Sequence, residues 1–168
     1  MKANRLLKMV NVSSHLPKMF QRKIWTKIFG RIVPMVGTAK IRYVEVSPQQ
    51  VIVEIDNHKA VQNHIHGVHA AATALLAETA TGFIAGLSVP DERILLIKSL
   101  KVDYIRIAKG KLIATATLNN EQRQFILQNE KGELSIPITV IDEQQQEPVK
   151  CEMIWAWRPK RASSNEKN

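Results

Sequence analysis

Cysteine is nearly absent from this sequence: one residue, Cys151, among 168. A lone thiol closes no intramolecular disulfide and builds no thiolate zinc cage, so the fold must be held by packing, and the expected compartment is the reducing cytoplasm. Acid is absent from the first 42 residues, which carry ten Lys or Arg, and the first carboxylate is Glu45. Beyond that point fourteen bases face fifteen acids, so the net charge of +9 belongs to the N-terminal quarter. Aromatic residues number only nine (4 Phe, 3 Trp, 2 Tyr). With no zinc-finger spacing and no RNA-recognition aromatic motif, no nucleic-acid partner is expected. The first twenty residues contain no continuous apolar run or small-residue cleavage site, so no signal peptide is expected either.

What is present suits one globular domain that buries roughly two-thirds of its surface. Hydrophobic residues make up 45% and charged residues 23%, far from the profile of disorder. Leu16, Phe20, Ile24, Ile28 and Ile32 recur every four positions with Lys18, Arg22, Lys23, Lys27 and Arg31 between them. This pattern predicts an amphipathic basic helix, in two pieces, ending at Pro34. Its apolar stripe could pack on the domain, its basic face could help bind an anionic ligand, or residues 16–33 could contact a membrane surface.

Downstream, KIRYVEVSP and QQVIVEID alternate with period two around Ser47 and Pro48, which predicts a hairpin. Residues 57–67 form a loop, and residues 68–86 form a helix that is apolar or small on nearly every side, with Glu78 its one formal charge. Such a helix is expected to be surrounded by protein. A membrane span is excluded by its weak hydrophobicity, its central glutamate and the flanking strand patterns. Ala70, Ala71, Ala74, Ala77, Ala80 and Gly82 would let a sheet approach closely. RILLIKSLKVDYIRIA, GKLIATATLN, SIPITVID and KCEMIWAWR read as strands, with turns at Lys109 and Gly110 and near Glu147 and Pro148. EQRQFILQNEKGEL fits either a strand extension or a short helix. The expected organisation is a basic helical extension over 1–35, a domain over 36–157 and a polar, mobile tail over 158–168.

A hairpin, one long buried helix and several antiparallel strands make an α+β layer arrangement, the outline of a hotdog fold with an antiparallel sheet wrapped around the central helix. The stretch NHIHGVHAAATALLAETATGF carries a more specific likeness. Asn63 is followed by five residues and His69, and Glu78 comes nine residues after His69. This spacing resembles that of the PaaI-like branch of hotdog acyl-CoA thioesterases, within it most closely the group that includes the carboxy-terminal domain of YiiD. Ala70 and Ala71 stand where the broader branch has two glycines, and Glu78 where it often has aspartate.

The resemblance implies an acyl-CoA hydrolase without a cofactor, and Glu78 as general base or nucleophile. A carboxylate alone on an apolar helix should also titrate high, which independently marks a candidate functional acid. Backbone N–H groups of His69, Ala70 and Ala71 at the helix start could hold the developing oxyanion. Asn63 could donate to the same carbonyl or position water, and His69 could orient the loop. His64 is a candidate substrate contact, and Arg106, Lys109 and Lys111 are candidate partners for the coenzyme phosphates. His64, His66 and His69 also make an H-x-H-x-x-H cluster that could bind zinc. Since the likeness gives His69 another part and leaves His66 without one, no metal is expected.

Ala70 and Glu78 lie eight residues apart, about 12 Å along a helix, and cannot both reach one carbonyl carbon. The site is therefore expected to be shared between two subunits of a homodimer or homotetramer. A catalytically silent hotdog module that binds an acyl thioester or lipid is the alternative, consistent with Ala70 and Ala71.

Overall fold

The structure, a computed structural model, describes residues 4–161. Its centre is helix α4 (Ala70–Gly86), which starts two residues later than its apolar pattern suggests because His69 caps it. Around it curls an antiparallel sheet. Strands β1 (Arg42–Val46) and β2 (Gln50–Ile55) form the predicted hairpin, and β2 continues to β4 (Leu112–Thr117) and β6 (Ile138–Asp142). A second section holds β3 (Arg93–Tyr104), β7 (Val149–Pro159) and β5 (Gly132–Ser135) in that order.

One bent stretch of chain joins the two sections. β5 pairs with β7 and β6 with β4, while Pro137 between them has no N–H to give a ladder and Ile136 donates its own to Met153. The curl follows from that change of partner. Val51, Val53 and Ile55 of β2, with Leu112, Ala114 and Ala116 of β4, alternate onto the concave face against Leu76, Ala77, Ala80 and Ile84 of α4. Each such large apolar side chain contributes about 1.5–3 kcal/mol through burial. Gly82 is required by close approach: a Cβ there would lie 2.6 Å from the Trp155 ring.

α4 is not enclosed on all sides. Ala71 is exposed, while Ala74, Glu78, Gly82 and Gly86 are half-buried, leaving one open stripe of small residues along the helix. The segment that fitted strand or helix contains both, α5 (Asn120–Gln128) and then β5, with Asn119 and Gln122 forming a reciprocal capping box. Lys109 and Gly110 make a turn, Gly110 at φ 64°, but it connects β3 to β4, which do not pair with each other. β7 continues through Pro159, two residues into the stretch read as a tail; residues 162–168 lie outside the described range.

The N-terminal layer departs furthest from the sequence pattern. It contains α1 (Arg5–Ser13), which the periodicity did not suggest, then α2 (Lys18–Ile32) and the short α3 (Pro34–Thr38). The every-fourth-residue stripe does not face the domain along its length: Ile24 and Ile28 are half-buried, but Leu16, Phe20 and Ile32 are exposed. Steps of four residues advance about 40° around a helix with 3.6 residues per turn, so five such positions wind away from any single face. Trp25 and Phe29 pack inward instead, against Tyr43 and Phe83, with the Phe29 and Phe83 ring centroids 4.5 Å apart. Aromatic contacts of this kind add about 0.5–1.5 kcal/mol each beyond burial. Buried Asn4 ties the layer down. Its side-chain oxygen caps α1 at Leu7, and its amide donates to the carbonyls of Gly86 and Val89 beyond the end of α4.

Candidate active site

The loop before α4 is built around Asn63. Its Oδ1 accepts from the N–H groups of Ile65 and Gly67, and its backbone N–H donates to the Gly67 carbonyl. This closes a tight turn with His66 in the left-handed region at φ 61°, a conformation Asn-rich loops support through such local side-chain bonds. The Asn63 amide Nδ2 has no hydrogen-bond partner among the described residues and remains available to donate.

His69 is the N-cap of α4. Its backbone N–H donates to Val61, and its ring Nδ1 accepts from Ala71 N–H at 3.0 Å. An imidazole accepting at Nδ1 carries its proton on Nε2. The ring thereby occupies one of the N–H groups read as oxyanion donors, and those of Ala70 and Ala72 are left without partners among the described residues. Tyr104, at the end of β3, donates its hydroxyl to the Ala70 carbonyl at 2.6 Å. Burial, then the nearby Cys151, pushes that phenol upward. Sequence reasoning missed Tyr104, which only the pairing of β3 brings to the helix start.

Asn63, Ala70, Thr73, Tyr104 and Arg106 line a common cavity of about 160 Å³. Arg106 is partly committed elsewhere: it meets buried Asp142 at 3.1 Å and the Gln144 side chain at 3.4 Å. Burial raises the Asp142 carboxyl, but N–H donors from Lys109, Gln146 and Gln144, with Arg106, outweigh it and hold the group below its usual range. Lys109 contributes its backbone N–H to Asp142. Lys111 pairs instead with Glu54, 3.6 Å away in a cluster with Arg22 and Arg42, and lines neither this cavity nor the one at Glu78. His64 and His66 are exposed on the loop, and no cluster of three metal-ligating side chains forms among the described residues.

Glu78 stands apart from this group. It is half-buried two turns further along α4, in a cavity of about 210 Å³ with Phe29, Val33, Val36, Tyr43, Gly82, Phe83 and Trp155. Burial raises its carboxyl, and no hydrogen bond among the described residues offsets the shift. Tyr43 is raised too, first by burial and then by the Glu78 charge. The neighbouring threonines leave Glu78 alone: Thr79 donates to the Leu75 carbonyl and Thr81 to those of Ala77 and Glu78, as is usual for hydroxyls on apolar helices. Within one chain, donors and carboxylate thus open into separate cavities on one helix.

A curled antiparallel sheet wrapped around one long helix of small residues is the hotdog fold. Residues 21–157 match the family described as Domain of unknown function (DUF4442), and the chain belongs to that family. Among solved structures, a Pseudomonas aeruginosa protein of unknown function named "Probable Thioesterase" is 23% identical at a TM-score of 0.73, over 86% of this chain and 97% of that one. A thioesterase from Haemophilus influenzae is 12% identical at 0.62, over 77% and 86%. A thioesterase family protein from Silicibacter pomeroyi is 15% identical at 0.61, over 79% and 93%. At these identities the likeness is one of fold. No curated protein matches the chain in sequence.

Proposed function

We propose that the chain hydrolyses acyl thioesters, acyl-CoA foremost, at a site completed by a second copy of itself, and that it stands nearest the group containing the YiiD carboxy-terminal domain. The observation carrying this reading is Glu78: a carboxylate raised by burial, without a hydrogen-bond partner among the described residues, facing an apolar cavity on the helix whose start offers free N–H groups. A raised carboxyl makes a stronger base once ionised. Glu78 takes a proton from water as the oxygen adds to the thioester carbon and returns it to the departing thiolate, or attacks that carbon itself to form a mixed anhydride that water then hydrolyses, its protons going to the thiolate and the carboxylate. The oxyanion is received by Ala70 N–H and the Asn63 amide, and the carbon–sulfur bond then breaks to release the thiol. The 210 Å³ cavity beside Glu78, lined mostly by apolar side chains, is where an acyl chain would lie.

The second copy is supported by two surfaces. β3 pairs on one side only, with β7, and exposes Ile94, Leu96, Ile97 and Leu100, a long apolar edge of the kind that recruits another strand. The open stripe of α4 lies beside it. A two-fold pairing of both, within a homodimer or homotetramer, would set the donors of one chain against the other's Glu78. Arg106 remains the best-placed contact for the coenzyme phosphates, and residues 16–33 are kept as a membrane contact. A cytoplasmic setting accords with the single thiol of Cys151, which burial and then Asp103 push up to about 11.

The test is free-thiol release from a panel of acyl-CoAs. Glu78→Ala should lower the rate by about 10²–10⁴-fold with the dimer intact. Mixing Asn63→Ala chains with Glu78→Ala chains should restore activity in heterodimers; verified heterodimers as inactive as both parents would sink the shared site. The occupation of Ala71 N–H by the His69 ring favours a second reading, a silent acyl-thioester-binding module. Binding without turnover on every substrate would select it.

A further inference from the structure

We infer that the outward face of the N-terminal helical layer docks on an anionic lipid bilayer, combining the exposed ends of the sequence stripe with residues of α1 and α3. Two observations on one surface carry this. At the elbow between α1 and α2, Val12, Leu16, Met19 and Phe20 are exposed, Val12 at 74% and Phe20 at 53%, and Ile32 and Met35 are exposed at the far end. Lys23, Lys27 and Arg31 stand between the two apolar ends, at intervals of four along the side of α2 turned away from Trp25, and all three are exposed. Lys8 continues the charge onto α1.

Residues 4–40 contain eight Lys or Arg and no acid. Among the described residues, only Arg5 and Arg22 of this layer meet acids, Asp91 and Glu54. The rest of the face is cationic and uncompensated, with apolar side chains at both ends. An interfacial helix has this composition: apolar groups enter the headgroup boundary while Lys and Arg meet anionic headgroups. A second copy of the chain fits poorly, because a two-fold contact would set the same cations against themselves. A nucleic acid would meet the charge and give the exposed Val12, Phe20 and Ile32 nothing to bury against. The inward side of α2 is already occupied by the aromatic cluster, so docking requires no unfolding.

The experiment is co-sedimentation of the full chain with phosphatidylcholine vesicles, with and without phosphatidylserine. The K23E/K27E and V12S/F20S double variants run alongside, each checked for a native circular dichroism spectrum. The wild type should sediment with phosphatidylserine vesicles only. Charge reversal should weaken that binding by at least roughly 30-fold, and removal of the two apolar groups by roughly tenfold. Three results would overturn the inference: no sedimentation with phosphatidylserine vesicles, equal binding by V12S/F20S together with matching affinity for duplex DNA, or a change of oligomeric mass in either variant without vesicle binding by the wild type. Thiol release is read separately, so failure here leaves the proposed chemistry standing, and the reverse.

Discussion

Two carboxylates of this protein sit at opposite ends of the argument about burial. Asp142 is fully buried yet held below its usual range; Glu78 is only half-buried yet raised. Burial opposes ionisation in both. The difference is that Asp142 accepts three backbone N–H groups and an arginine, whereas the Glu78 carboxylate accepts nothing among the described residues and faces aromatic and aliphatic side chains. Depth alone therefore does not identify a working acid. The turn around Asp142 is a satisfied scaffold that holds residues 106–109 in place, and the middle of α4 is an unsatisfied pocket, the condition expected where a protein gives up stability for function.

The largest test of that contrast is Asp142→Ala. Removing the buried carboxylate leaves three N–H groups unmatched and half-buried Arg106 with Gln144 alone, and should cost about 1–3 kcal/mol in chemical denaturation. Because its folded value is depressed, Asp142 contributes stability above the unfolded carboxylate range, and that contribution is lost as pH falls through the folded value. A smaller effect is expected from Val33→Phe, which narrows the Glu78 cavity from its exposed wall. It should lower kcat/KM for the longest accepted acyl chain by roughly tenfold while sparing the shortest, as measured across an acyl-CoA series. Smallest is Glu78→Gln. With its folded value raised, the Glu78 contribution is present at low pH and lost as pH rises, so the glutamine chain should melt higher than wild type in neutral buffer and match it in acid, read by calorimetry. Equal melting curves at both pH values would remove the contrast between the two carboxylates.

The β1–β2 hairpin, the central helix and most strands were legible because period-two and all-apolar patterns survive any arrangement of their partners. The spacing from Asn63 to His69 to Glu78 was legible for the same reason: it is local. Tyr104 and Asp142 were not, since each acquires its part from a pairing or a turn that brings distant chain together, β3 with β7 and residues 142–146 with Lys109 and Arg106. α5 carried a readable sign, Asn119 three residues before Gln122, that its polar helix face obscured. The N-terminal stripe misled because a repeat of four winds around the helix, and the inward face is set instead by Trp25 and Phe29, which pack on Phe83. Lys111 was grouped with Arg106 by sequence proximity, but strand alternation sends it to the other side of the sheet with Glu54.

Helix α2 has one further consequence. Its inward Phe29 walls the cavity at Glu78, and its outward lysines form the face assigned to lipid. One helix thus belongs to both surfaces. Thermodynamic reciprocity then binds the two: by whatever factor a filled cavity changes affinity for a bilayer, the bilayer changes affinity for the acyl chain by that same factor.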